Sequence, residues 1–165
     1  MSTTAPARRS TGVPTRRDPV AVAARWLAAH GIQALQVSLG IVVLAFGVLK
    51  FFPGASPAEP LVMRTVDALT LGLVHGQTAV ALTAVIETFI GLTLVTGVFL
   101  RTGLVVLAGS LAGMMSPLVL FFGDMFPGGT PTLEAQYVFK DIILAAAVLV
   151  IGAKALGARL QPDAR

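Results

Sequence analysis

The sequence predicts an all-α membrane protein: a transmembrane four-helix bundle with an amphipathic extracytoplasmic helix between its first two spans. Three observations predict it. Of 165 residues, 55% are hydrophobic and only 12% are charged, and mean hydropathy is +0.84. A soluble domain carries about 25% charged residues, so this chain lacks the polar surface of a water-soluble monomer. Next, four apolar stretches approach the roughly 20 helical residues needed to cross a hydrocarbon core of about 30 Å. Finally, Lys and Arg are divided unevenly between the loops on the two sides. The composition also excludes some chemistry. With no cysteine, the chain can form no disulfide, thiolate metal site, iron–sulfur cluster or CxxC redox pair. Its two histidines, His30 and His75, flank opposite ends of the first long apolar segment, which disfavours a haem held between them. No metal site is expected.

Residues 1–17 are small, polar and basic, with Pro6, Pro14 and four arginines; they read as a disordered cytoplasmic tail. The apolar run after Arg16-Arg17 starts too far downstream, and is too long, for a cleaved signal. The membrane domain is expected over 18–157. Asp18-Pro19 has the form of a helix start, with Asp as N-cap and Pro in the first turn. A short helix over 20–30 would place Arg25 and Trp26 at the membrane interface; Gly31 permits a bend, or the helix continues. The first span covers about 32–52 and stops at Pro53. The second covers 78–100, with Arg101-Thr102-Gly103 as a tight turn, and the third covers 104–122. The fourth covers 131–156 with Thr130 as N-cap. Its purely apolar part, 142–153, is short, so it must carry polar residues into the bilayer or end early. Residues 158–165 form a second cytoplasmic tail.

Between the first two spans, Ser56-Pro57-Ala58-Glu59 has the pattern of a capping box. Leu61, Val62, Val66, Leu69 and Leu73 follow at helical spacing, with Arg64 and Asp67 as polar residues. The expected element is an amphipathic helix, lying on the membrane surface or folded back over the bundle and ended by Gly72 and Gly76. The N-terminal side, the Arg101 turn and the C-terminal tail hold nine basic residues; the opposite loops and helix ends hold three, Lys50, Arg64 and Lys140. The positive-inside rule then puts both termini in the cytoplasm. The net charge of +4 follows from topology and anionic lipid, and no nucleic-acid partner is expected.

Ionisable residues inside a bilayer usually face a bundle interior or a cavity. Counted at 1.5 Å per residue, Glu87 lies roughly 21 Å from Arg101, Asp141 roughly 20 Å from Lys154, and Ser116-Pro117 roughly 20 Å from Gly103. These ladders place Glu87, Asp141 and Ser116 in one layer of the outer half, where Lys50 and Lys140 can offset the carboxylates. Pro117 should free a backbone carbonyl at this depth. Tyr137 lies one turn from Asp141. Two readings stay open. Lys50 and Glu87 form a structural ion pair, or the layer is a site for a polar headgroup or a quinone-like carrier, with Glu87 as the proton-handling residue and Lys50, Tyr137, Lys140, Asp141 and Ser116 binding the ligand. Gly109-xxx-Gly113 reads as a close-packing face, within the chain or toward a second copy. Gln33, Gln36 and Ser38 are candidates for helix–helix hydrogen bonds. Thr83, Thr88, Thr93 and Thr96 are expected to bond back to their own helix.

Three stretches carry a family resemblance together: GVLKFFPGASPAE at the end of the first span, ETFIGLTLVTGVFLRTG over the second span and turn, and PTLEAQYVFKDIIL at the start of the fourth. Over about 33–152 the chain resembles the DoxX family of small bacterial membrane proteins, in its actinobacterial form. That family is similar to the DoxD membrane subunit of thiosulfate:quinone oxidoreductase. The resemblance implies a four-helix membrane bundle and electron transfer involving quinone and sulfur compounds. Glu87, Lys50, Glu134, Gln136, Tyr137 and Lys140 match family positions, whereas relatives often carry Asn where this chain has Asp141. With no cysteine and no haem-ligating pair, no covalent cofactor is expected; the resemblance implies a lipid-soluble quinone, within a membrane redox system. The alternative function is a non-catalytic accessory or assembly subunit of a larger membrane complex.

Overall fold

The computed structural model describes residues 19–158. The expected basic tail over 1–17, the Asp18 cap and the tail beyond 158 lie outside the described residues. Among those described, every regular element is helical. The chain divides into two units at Gly31. In the first, the described residues are the beginning of helix α1 (Pro19–Leu49), and Gly31 lies inside that helix. There the Trp26 and His30 rings stack at 5.1 Å, and the Arg25 Nε–H donates to Ala21 O at 3.1 Å.

The second unit begins at Ile32 and contains the remainder of α1, then α2 (Glu59–Leu69), α3 (Gly76–Thr96), α4 (Leu100–Met115), α5 (Pro117–Leu120), α6 (Phe122–Met125), α7 (Leu133–Phe139) and α8 (Asp141–Ala155). Among the described residues, three helical stretches are long and apolar enough to cross a membrane: α1, α3 and the combined Leu100–Leu120. The fourth segment is divided. Its helical pattern breaks at Lys140, where Ile143 N–H bonds to Lys140 O three residues back instead of four. The remaining uninterrupted helix, α8, has 15 residues, short of the roughly 20 needed. A complete fourth span would need α7 and α8 together.

The core joins four helices. Leu39 and Val43 of α1 meet Ile90 and Leu94 of α3, Leu104, Leu107 and Leu111 of α4, and Ala147, Val148 and Ile151 of α8. Glycine sets the closest approach. A Cβ at Gly91 would lie 2.6 Å from Leu44 Cα; one at Gly47, 2.8 Å from Thr88 N; one at Gly40, 2.8 Å from Leu94 Cβ. At these points the α1 and α3 backbones leave no room for a side chain. The expected close-packing pair behaves differently: nothing lies within 4 Å of a Cβ at Gly109, and only Leu69 Cδ1, at 3.9 Å, approaches one at Gly113. Gln36 adds an interhelical bond, its Nε2–H donating to Leu94 O at 2.8 Å.

Several boundaries differ from the sequence reading. The second span ends at Thr96, because Gly97 adopts a left-handed C-cap with φ 75°. Gly97 to Phe99 therefore make the reversal, and Arg101 sits in the first turn of α4. Its Nε–H donates to Ala155 O at 3.2 Å, a basic side chain satisfying a helix C-terminus. The capping box does not form. Helix α2 starts at Glu59 with Ala58 as N-cap and no side-chain cap bond. Glu59 instead accepts Gly54 N–H at 2.7 Å and Gln77 Nε2–H at 2.6 Å, tying α2 to the start of α3. These two bonds hold its carboxyl below the ordinary carboxylate range. The α7 cap is Thr132, which accepts Ala135 N–H, and not Thr130.

Helix α2 takes the folded-back option and packs on α3 and α4. Arg64 Nη2 donates to Asp124 Oδ2 at 2.5 Å, and its guanidinium carbon lies 3.9 Å from the Phe121 ring centroid. The helix ends before Gly72, and Leu73 lies in the following loop, 84% exposed. Leu71 and Phe99 both have φ 53°, a left-handed conformation that costs an L-residue about 1–2 kcal/mol.

Candidate functional site

Lys50 follows directly on the last residue of α1, and Glu87 faces it from α3. Lys50 Nζ donates to Glu87 Oε2 at 2.6 Å, with side chains only 4% and 5% exposed. Gly47, one turn earlier, makes this approach possible because it packs against the Glu87 and Thr88 backbone. Lys50 Nζ also reaches Phe46 O at 3.4 Å. Within an apolar bundle each charge would be costly alone; paired, the two are compensated.

Phe46 carries the site toward the fourth segment. Its ring centroid lies 5.8 Å from Lys50 Nζ and 5.4 Å from Lys140 Nζ, and it meets the Tyr137 ring edge-on at 6.3 Å. Lys140 Nζ lies 2.8 Å from the Tyr137 ring centroid. Both ammonium groups thus lie within cation–π range of one phenyl ring. Phe46 gives no signal in the sequence, since one more phenylalanine in an apolar span looks like core or lipid contact. Tyr137 and Lys140 are exposed and Asp141 is half-buried. Neither Lys140 nor Asp141 makes a salt bridge among the described residues. The arrangement is a closed, buried ion pair beside an open polar rim.

Along their own helices the three polar positions stand at different distances from the helix ends. Because α3 ends at Thr96, Glu87 lies nine residues, roughly 14 Å, from the end of its helix. Asp141 opens α8, roughly 21 Å from Ala155. Ser116 is roughly 24 Å from Leu100. Glu87 and Asp141 nonetheless lie within electrostatic range of each other, and the long lysine side chains link the elements around them. Glu87 is near the middle of α3 rather than in its outer half.

Ser116 is not joined to the cluster by any observed bond. Its Oγ–H donates to Gly113 O at 2.7 Å, and its N–H bonds to the same oxygen at 3.2 Å. That oxygen is the carbonyl Pro117 leaves without a helical partner, so no free polar group arises there. Glu134 and Gln136 are exposed on α7, and Gln136 Nε2–H donates to Pro131 O. Thr83, Thr93 and Thr96 bond back to their own helix, whereas the buried Thr88 Oγ1 has no hydrogen-bond partner among the described residues. His75 Nδ1 lies 3.2 Å from Gly72 O in the loop before α3.

Among the described residues, no group of three or more His, Asp and Glu side chains is arranged to hold a metal ion. Comparison with protein-family models, with curated proteins and with solved structures finds no match. Among the described residues, fold and composition support an all-helical class with three helices long and apolar enough to cross a membrane.

Proposed function

We propose that the chain is a DoxX-like protein of the bacterial inner membrane, crossing it four times with both termini in the cytoplasm. In this reading α7 and α8 complete the fourth crossing. Its function is to bind a quinone or similar small ligand as a subunit of a membrane redox system. One observation carries this: a buried Lys50–Glu87 pair adjoins an exposed Tyr137–Lys140 rim through the Phe46 ring.

The donor set fits such a ligand. A quinone supplies two carbonyl oxygens that accept hydrogen bonds and take up protons on reduction. The Lys140 ammonium and the Tyr137 hydroxyl are donors on the open side, and Phe46 offers an aromatic surface. Glu87 is the group that holds or yields a proton, while Lys50 compensates its charge. Ser116 has no part in this reading. The sequence has no cysteine, so electrons come from, or go to, a separate partner. The test is quinone extraction from purified protein. Wild type should retain quinone, and Tyr137→Phe and Lys140→Met should retain less while remaining folded. Equal content in all three would count against the site.

A second reading, an accessory or assembly subunit of a larger membrane complex, is favoured by the closure of the Lys50–Glu87 pair, which suffices to hold α1 and α3 in register. Mild-detergent purification that yields a stoichiometric membrane partner and no quinone would favour it.

A further inference from the structure

Among the described residues only two non-glycine positions have positive φ, Leu71 and Phe99, both at 53°. They flank the same span: Leu71 stands five residues before α3 begins at Gly76, and Phe99 three residues after it ends at Thr96. Both side chains are displayed, Leu71 91% and Phe99 73% exposed. A large apolar residue in this conformation is strained, and at neither place does the side chain bury itself in the protein. We propose that Leu71 and Phe99 are paired interfacial anchors. Each inserts into the headgroup–acyl boundary of one leaflet, and together they hold α3 at a set depth.

The dimensions agree. Helix α3 has 21 residues, roughly 32 Å at 1.5 Å per residue, against a hydrocarbon core of about 30 Å. Its two flanking loops therefore fall at the two boundaries. Each loop satisfies part of its backbone internally, which lowers the cost of lying at that depth. In the first, Gly72 N–H bonds to Asp67 O, and Val74 N–H bonds to Thr70 Oγ1, whose hydroxyl reaches Val66 O. In the second, Gly97 N–H bonds to Thr93 O and Val98 N–H to Thr96 Oγ1. Leu73 and Val98 extend each apolar tip. The occupant is lipid because α3 itself is an apolar crossing helix, so the boundary it traverses is the apolar phase within reach of both tips. The consequence for the candidate site is positional: Glu87, near the middle of α3, is kept at the membrane centre.

The proposal rests on α3 crossing the bilayer, and the test separates the two. The cysteine-free chain allows single nitroxide labels at Leu71→Cys, Phe99→Cys and Val85→Cys in phosphatidylcholine vesicles. Val85 is an exposed residue of α3. Collision with oxygen and with a water-soluble nickel chelate then reports depth. The expected result is boundary depth at 71 and 99 and a deep position at 85. Labels at 71 and 99 open to the chelate, with 85 deep, would overturn the anchors and leave the span intact. An aqueous label at 85 would overturn the span as well. Labels at 71 and 99 closed to both reagents would mean a protein covers them, which also overturns the proposal. If the 71 or 99 variant fails to fold, Leu73→Cys and Val98→Cys report the same two loops with the same outcomes.

Discussion

Lys50 and Glu87 hold each other at 2.6 Å in a nearly closed environment, so removing either one leaves a buried charge. Loss of one partner of a buried pair costs about 3–5 kcal/mol, whereas replacing both by apolar residues is often neutral. We expect Glu87→Gln and Lys50→Met each to lower resistance to denaturant, and Lys50→Met/Glu87→Leu to recover most of it. A double-mutant cycle read by equilibrium unfolding measures the coupling. At Ser116 the expectation is a small effect. Ser116→Ala leaves the N–H on Gly113 O, so it should change stability by no more than about 1 kcal/mol and leave ligand retention unchanged. Glu59 gives the acid response. Its folded carboxyl lies below the ordinary value of 4.5, so its contribution is present above that pH. As pH falls below 4.5 toward the folded value, the unfolded chain takes up the proton first and that contribution is lost. Thermal unfolding across this range should shift downward more in wild type than in Glu59→Gln.

Helix packing turns on glycines that the sequence did not advertise. Gly109-xxx-Gly113 has the spacing associated with close approach, yet a Cβ at Gly109 meets nothing within 4 Å. The close contacts belong to Gly40, Gly47 and Gly91 between α1 and α3, and to Gly103 of α4 against Thr93 of α3; their significance appears only when the helices are placed together. Gly91→Ala should therefore destabilise by about 1–3 kcal/mol through overpacking. Gly109→Ala should be neutral or slightly stabilising through helix propensity. Unfolding in the same detergent compares the two. The amphipathic character of α2 was legible from its spacing. Its tethers were not, because Glu59–Gln77 and Arg64–Asp124 join residues far apart in sequence. The Gly97 reversal was obscured by Arg101, which resembles a loop residue but serves as a donor to the end of α8.

For the whole molecule, apolar segment length made the helical membrane character readable before any coordinate. Ionisable residues in apolar segments pointed to Lys50 and Glu87, because such charges need partners. The assumption that equal depths make a site was weaker. Glu87 and Asp141 do come within electrostatic range of each other, whereas Ser116 makes no bond to the cluster among the described residues. What links the elements is Phe46, whose role depends on side-chain direction rather than residue type. In the proposed function, Lys50 and Glu87 serve a ligand as well as the fold. The most direct test exchanges their charges, Lys50→Glu with Glu87→Lys, and measures quinone bound per folded protein. Recovered stability without recovered quinone is expected, since the proton-handling carboxylate has moved from α3 to the end of α1. Full recovery of both would contradict that function, leaving the pair as a brace between two helices.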